Sequence, residues 1–470
     1  MSVKSNILFI CIDAFRADRC YGKNKSSKTP NIDYLIKNGT YFDQAFASSD
    51  ETHTSFSSIL TGLYSFKAMV RKGRWDFRLK PGLTDYITIL KRNGYHAYAT
   101  IPKLTLMEEL ISLYEDNAET YPYFGYRLFD GLGQQIVKKL ESKKMKEPWF
   151  YFIHLVDAHK PISYPKEYDT NEYGDDDYDK TISSLDVWIG RFLQKIDLAH
   201  TLVVLTADHG DYLRIVTRNG KRISFEYPSF AKPALNLSKI IPRILYPLKL
   251  RSFIFLRKMM TQFRLAKSGI KLHPYEKRSI INTRSDPDRY LYDELVHVPL
   301  IFSGSSVPSL GVIQQQVRSI DIFPTIVEIV GIPSKNENVD GRSLTPLFNG
   351  KKLDELPVYL ESGFNVISNV DPSKVVIGIR TPHYKYFRGI NKSEKKVHLY
   401  DLINDPLEEN NIAIKKPDVI NEMEKILTEV RKDFGDKDGK KYEFIYSNSE
   451  FEDDERSKEI ERELKKLGYI

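Results

Sequence analysis

The stretch Asn6-Ile7-Leu8-Phe9-Ile10-Cys11-Ile12-Asp13 decides how the rest of the chain is read. Its apolar run is far too short to span a membrane, and it suits a strand buried on both faces. The carboxylate falls where that strand would leave the sheet. Trp149 to Val156 and Thr201 to Thr206 repeat the pattern, with a helical stretch from Tyr178 to Ile196 between them. Further helices are predicted at Asn31 to Lys37, opened by Thr29-Pro30, and at His53 to Leu60, Leu83 to Arg92 and Asp321 to Val330. Tyr95 to Thr100 and Val298 to Ser303 read as strands. This alternation predicts an α/β protein with a mostly parallel central sheet flanked by helices.

Past Gly350 the texture changes. Val358 to Glu361, Val375 to Arg380 and Tyr384 to Phe387 read as strands without intervening helices, which predicts a small antiparallel α+β subdomain. The expected division is a catalytic α/β domain over 1–350, this subdomain over 351–416, and a charged helical tail over 417–470.

The chain has 470 residues, 41% of them hydrophobic and 28% charged, as folded globular proteins do. Its two cysteines, Cys11 and Cys20, exclude a disulfide framework and a cysteine-based zinc site. Neither an N-terminal signal nor a membrane-length apolar run is readable, so the expected compartment is the cytoplasm. The net charge of +7 is unevenly spread: from Leu213 to Arg289 there are 18 Lys and Arg against 4 acids. An anionic partner is therefore expected at that basic insertion, 213–289.

Open parallel sheets form their sites at the carboxyl ends of strands. Three strands here end in acid-base or metal-type side chains: Asp13, then His154 with Asp157 and His159, then Asp208-His209-Gly210-Asp211. An Asp after one strand is often only a helix cap. Three such clusters on one edge suit a divalent cation, which binds the oxyanion of a phosphate or sulfate ester and acidifies a coordinated hydroxyl. Ser49, Thr52, Thr54, Ser55, Ser57 and Ser58 crowd the entrance of the next helix, where a hydroxyl gains from the helix dipole. Composition does not choose among them.

These residues resemble the sulfatase family of the alkaline phosphatase superfamily along nearly the whole chain. The likeness rests on Asn6 to Asp13 with Arg16 and Asp18, Thr29-Pro30-Asn31-Ile32-Asp33, Ser58-Ile59-Leu60-Thr61-Gly62, His154 through Pro161, and Thr206-Ala207-Asp208-His209-Gly210. It continues through Asp321 to Thr325, Asp340 to Leu344 and Leu399-Tyr400-Asp401-Leu402. The resemblance implies one divalent cation (Ca, Mg, Mn or Zn) held by Asp13, Asp208 and His209. Counting back from Leu60-Thr61-Gly62, it puts the nucleophile, also a metal ligand, at Thr52. His159 and His154 resemble residues that face the oxyanion or leaving group. Lys103 lies one residue from a family substrate-binding lysine, and Arg16 is an exposed-looking basic residue beside Asp13, suited to an anion contact or a salt bridge.

Departures from the family pattern matter as much. Sulfatases carry Cys or Ser in a Cys/Ser-x-Pro-x-Arg motif that is oxidised to formylglycine; here the stretch is Thr52-His53-Thr54-Ser55-Phe56. Threonine cannot become formylglycine, which points to a threonine alkoxide acting on phosphate esters. Ala14 stands where the family often has another liganding Asp. The His and Lys that usually follow Asp-His-Gly are absent, with Arg289 or Arg284 as substitutes.

Within the insertion, Leu248 to Lys267 forms a helical pattern with Phe255, Leu256, Met259 and Phe263 on one face and basic residues around the rest. Such a helix either lies on an anionic membrane or packs its stripe on its own domain; nucleic acid is not expected. The substrate is expected to be an anionic ester of a glycan, a lipid-linked group or a small molecule. Three functions stay open: a sulfate or phosphate ester hydrolase, with phosphoester favoured; a phospho-headgroup transferase; and a catalytically degenerate binding protein.

Overall fold

The computed structural model describes residues 4–71, 77–218, 221–225, 246–269, 271–282, 290–333, 338–362, 375–390, 397–432 and 455–466. Two compact units emerge, Met1–Asp211 with Pro287–Ile470, and Tyr212–Asp286.

The first unit is built on a nine-stranded sheet. In chain order its strands are β1 (Asn6–Ile12), β2 (Gly39–Phe46), β3 (His96–Lys103), β4 (Ala118–Pro122), β5 (Trp149–Leu155), β6 (Thr201–Thr206), β7 (His297–Val298), β8 (Leu300–Gly304) and β9 (Gly311–Arg318). They lie in the order β7-β2-β8-β6-β1-β5-β3-β4, with β9 against β2. β1 sits between β5 and β6, parallel to both, and each of its apolar residues is fully buried. The parallel group β6-β1-β5-β3 ends on one edge, which gathers Asp13, Val156 and Ala207 at the exits of three adjacent strands.

The expected strand from Val298 to Ser303 is two strands broken at Pro299, and both run antiparallel to their neighbours. Proline has no N–H to give a ladder, and the Pro299 carbonyl instead accepts Thr206 Oγ1 at 2.8 Å. β2 and β9 pair in parallel through a shift in register between Ile313 and Gln316.

Helix α1 (Pro30–Lys37) and helix α3 (Asp177–Leu193) pack together. Asp186 of α3 caps α1 through the N–H groups of Asn31 (3.1 Å) and Ile32 (2.8 Å). Between them in sequence, α2 (Thr52–Thr61) buries Phe56, Ile59 and Leu60 in the main core. Its many hydroxyls are buried too and bond back along the helix, Ser57 Oγ to the Thr54 carbonyl and Thr61 Oγ1 to the Ser57 carbonyl. The helix stops at Gly62 (φ 67°), whose carbonyl accepts N–H bonds from Asp340 and Gly341.

A second, four-stranded antiparallel sheet runs β10 (Val358–Glu361), β11 (Val376–Arg380), β12 (Tyr384–Gly389) and β13 (His398–Asp401). Its apolar face shares a core with Tyr64, Phe66 and Ile320, and with Met423 and Leu427 of the helix Pro417–Val430. Glu361 reaches further, its N–H bonding the Ser48 carbonyl at 2.9 Å beside a bridge to Ser49.

The second unit holds a hairpin, Ile215–Arg218 with Lys221–Ser224, the long helix α4 (Tyr246–Ser268) and the short helix Pro274–Ile281. Among the described residues no helix is long and apolar enough to cross a membrane.

Candidate active site

β1 delivers Asp13, whose N–H bonds the Leu155 carbonyl of β5 at 2.8 Å and so carries the ladder one residue past the strand. The chain then turns through Ala14 at φ 60°, a left-handed conformation that costs a residue with a Cβ on the order of 1 kcal/mol. Two bonds hold that turn: the Ala14 N–H donates to Asp208 Oδ1 at 3.3 Å, and Tyr178 donates its hydroxyl to the Ala14 carbonyl at 2.8 Å. Asp208 is thereby fixed against β1, and its Oδ1 also accepts the His209 N–H at 2.9 Å. Gly210 is required next: a Cβ there would lie 2.1 Å from the Glu294 carbonyl oxygen.

His209 Nδ1 lies 2.8 Å from the Gly210 carbonyl, which can only accept, so Nδ1 carries the proton and Nε2 presents its lone pair. That lone pair faces Asp13 Oδ1 and Asp208 Oδ2, each at 3.5 Å, and Thr52 Oγ1 at 3.1 Å. Asp13, Asp208 and His209 are wholly buried, and one ligand atom from each lies within 4.8 Å of the others. Two carboxylates converging on an imidazole nitrogen form an electron-rich donor set of the kind that accepts a divalent cation.

Thr52 is the first residue of α2. Glu51 caps that helix, accepting the N–H groups of His53 (3.1 Å) and Thr54 (3.0 Å). The cap leaves the Thr52 side chain turned toward His209, partly exposed at the positive end of the helix dipole.

His159 Nδ1 lies 2.7 Å from the Lys160 carbonyl, which leaves its Nε2 as the acceptor in the neutral ring. Tyr123, which sequence reasoning missed, joins the two sides of the site. Its hydroxyl donates to Asp13 Oδ2 at 3.4 Å, and its ring meets His159 edge to face at 5.7 Å. Nothing local in the sequence marks Tyr123, since it follows the edge strand β4. Lys160, placed 3.4 Å from Asp211 Oδ2, was legible only as the neighbour of His159.

Several expectations need correction. Arg16 is buried, not exposed: Nε and Nη2 each donate to Asp18 at 2.8 Å, and Nη1 bonds the Asp211 carbonyl at 3.3 Å. Burial alone would raise the Asp18 carboxyl, but Arg16, with Arg19, holds it well below the usual carboxylate range. The guanidinium is thus engaged in a structural ion pair rather than aimed at a substrate. His154 is wholly buried, edge-on to Phe56 and 4.0 Å from Asp13 Oδ2, and neither ring nitrogen has a hydrogen-bond partner. Burial, then the nearby His159, pushes its pKa down to about 3, so at neutral pH it has no extra proton to give a leaving group. Asp157 caps a turn through the Leu128 N–H at 3.0 Å, and burial raises its carboxyl to about 6. Lys103 is exposed at the end of β3, on the same sheet edge. Arg284 and Arg289 lie outside the described residues.

A sheet edge that gathers carboxylates, an imidazole and a helix-end hydroxyl holds the groups that metal-assisted ester hydrolysis needs. The sulfatase profile matches residues 5–332, and a profile for the C-terminal part of N-sulphoglucosamine sulphohydrolase matches residues 286–433. The chain belongs to the sulfatase family. It is 22% identical to arylsulfatase K of Gallus gallus, over 91% of this chain and 83% of that one. Among solved structures it is similar to a putative sulfatase from Bacteroides thetaiotaomicron (TM-score 0.63, 16% identity, covering 97% and 96% of the two chains). It is also similar to a phosphonate monoester hydrolase of Agrobacterium radiobacter (TM-score 0.61, 15% identity, 92% and 96%).

Proposed function

We propose that this chain hydrolyses phosphate esters with the Thr52 hydroxyl as its nucleophile and one divalent cation bound by Asp13, Asp208, His209 and Thr52. The observation that carries the reading is the 3.1 Å approach of Thr52 Oγ1 to His209 Nε2, at the point where the two carboxylates converge. A cation bound there neutralises the carboxylates, acidifies the Thr52 hydroxyl and polarises an ester oxygen. Asp13 and Asp208 keep their positions through the strained turn at Ala14, which the Asp208 and Tyr178 bonds hold.

Thr52, its hydroxyl proton lost to solvent, attacks the phosphorus in line through Oγ, and the ester oxygen leaves on the opposite side. His159, protonated on Nε2, donates to the departing alkoxide. Water, giving a proton to the now neutral His159, attacks the phosphorus and breaks its bond to Thr52 Oγ, which releases phosphate and regenerates the nucleophile. His154 serves as a neutral buttress of Asp13.

The chemistry of threonine favours phosphorus over sulfur. A hydrated formylglycine sheds its bound group by reforming a carbonyl, whereas a threonine ester has no such route and must be opened at its central atom. The substrate is an anionic ester, as suits the family; the similarity to arylsulfatase K keeps aryl sulfate esters as the competing substrate class.

The test is turnover of an aryl phosphate monoester, an aryl phosphodiester, an aryl phosphonate monoester and an aryl sulfate with Mg, Mn, Ca or Zn, beside Thr52→Ala. Phosphoester cleavage that Thr52→Ala loses supports the proposal. Sulfate as the preferred substrate, or full activity in Thr52→Ala, sinks it.

A further inference from the structure

Helix α4 has two apolar faces, and its own unit uses only one of them. On one side Thr261 is buried and accepts from Arg214 Nη2 at 3.2 Å, while Leu265, one turn on, packs with Leu272 against Phe225 and Ile280. Arg214 also reaches the Ile280 carbonyl at 2.9 Å, so this side is what fastens the helix. Phe255, Met259 and Phe263 recur every fourth residue and so fall on one stripe, roughly opposite Thr261 and Leu265 at 100° per residue. They are 62%, 52% and 70% exposed, and Met260 beside them is 53% exposed. The alternative of a stripe packed onto its own domain is therefore not what is observed.

Charge says what covers that stripe. Tyr246–Ser268 carries Lys249, Arg251, Arg257, Lys258, Arg264 and Lys267 and not one acid. Arg264 and Lys267 are exposed. Large aromatic and thioether groups on a helix rich in Lys and Arg match a surface that is apolar within and anionic at its face, as the headgroup boundary of an acidic bilayer is.

We propose that the outward face of α4 docks this protein on anionic lipid membranes, with Phe255, Met259 and Phe263 entering the acyl boundary and the basic residues meeting the headgroups. The proposal stands apart from the chemistry of the active site.

It is tested with the full chain by sedimentation with vesicles of phosphatidylcholine alone and of phosphatidylcholine with 30% phosphatidylglycerol, a composition chosen as roughly that of an acidic leaflet. The expected result is binding to the acidic vesicles, at least about tenfold weaker to the neutral ones, and weakened by salt. Phe255→Glu with Phe263→Glu reduces binding at least about tenfold, and Lys267→Glu reduces it less, while turnover of a soluble aryl ester is retained as proof of folding. Failure to bind acidic vesicles overturns the proposal, as does equal binding by the double glutamate variant. A wild-type dimer that the double variant converts to monomer, without vesicle binding, assigns the stripe to a second copy and also overturns it. So does retention on a sulfated polysaccharide, unchanged in the double variant, without vesicle binding.

Discussion

Asp293 lies 2.6 Å from Lys385 Nζ and 3.3 Å from Arg380 Nη2, and Lys385 passes on to Glu408 Oε1 at 2.9 Å. Asp13 and Asp208 instead lie 3.5 Å from the lone-pair nitrogen of His209. Both groups belong to the same compact unit, and the Lys385 and Glu408 side chains are as buried as Asp13 and Asp208. At Asp293, burial alone would favour the neutral acid, but Arg380 and Lys385 hold the carboxyl well below its usual range. One cluster is neutralised by side chains of the chain itself, and the other converges on a point that suits a cation from outside. The difference separates a structural ion network from a site.

The comparison is sharpest at Thr52. Thr52→Ala is expected to lower turnover of an aryl phosphate by about 10⁴-fold or more, since a lost nucleophile leaves only the binding machinery. Thr52→Ser keeps a hydroxyl and should retain activity within about tenfold. Steady-state rates with each variant check both. In the other cluster, Lys385→Met leaves Glu408 buried without its ammonium and is expected to cost about 3–5 kcal/mol of stability, measured by urea denaturation.

Divalent ions should separate the clusters directly. At a hundredfold excess over its Kd, the bound cation is expected to raise stability by about 3 kcal/mol, read as a thermal shift that a chelator reverses. Asp208→Asn should abolish that shift while leaving the metal-free protein as stable as before or more so, because it removes one of two like charges. Asp293→Asn should do the reverse, destabilising the protein and keeping the shift. If Asp208→Asn retained the full shift, the two clusters would not differ as argued.

A last contrast, smallest when read over a single pH unit, concerns Glu361, whose carboxyl burial raises to about 8 although Tyr359 donates to it at 3.0 Å. Folding therefore favours the protonated acid. Its contribution is complete below the ordinary carboxyl value of 4.5 and is lost as pH rises toward about 8, at roughly 1 kcal/mol per pH unit. Glu361→Gln mimics the neutral acid and should flatten this slope in melts recorded across the same range.

Much of this architecture was readable from residue order because parallel central strands are continuous apolar runs: β1, β5 and β6 announce themselves. β2 and β9 do not, since Gly39–Phe46 mixes Asp and Gln into its run and Gly311–Arg318 carries three glutamines and a register shift. Asp13, Asp208 and His209 converge because each follows a strand of that continuous kind, whereas Thr52 comes from the first position of α2. Arg16 looked exposed because a polar residue after a strand usually is, and its burial is explained by its bidentate partner Asp18 together with the Asp211 carbonyl. Tyr123 reaches Asp13 across 110 positions, a contact that no local pattern encodes.

The bridge from Glu361 to Ser48 and Ser49 has a temporal consequence. The segment that leads into Thr52 is braced by a strand near the far end of the chain, and Tyr64 receives the Tyr359 N–H from 295 positions away. Every side chain of the site has left the ribosome long before that brace exists. During synthesis the nucleophile-bearing loop must wait, unbraced, for residues 358–361, so a chain released early would carry the complete set of reacting groups without the strand that fixes their entrance.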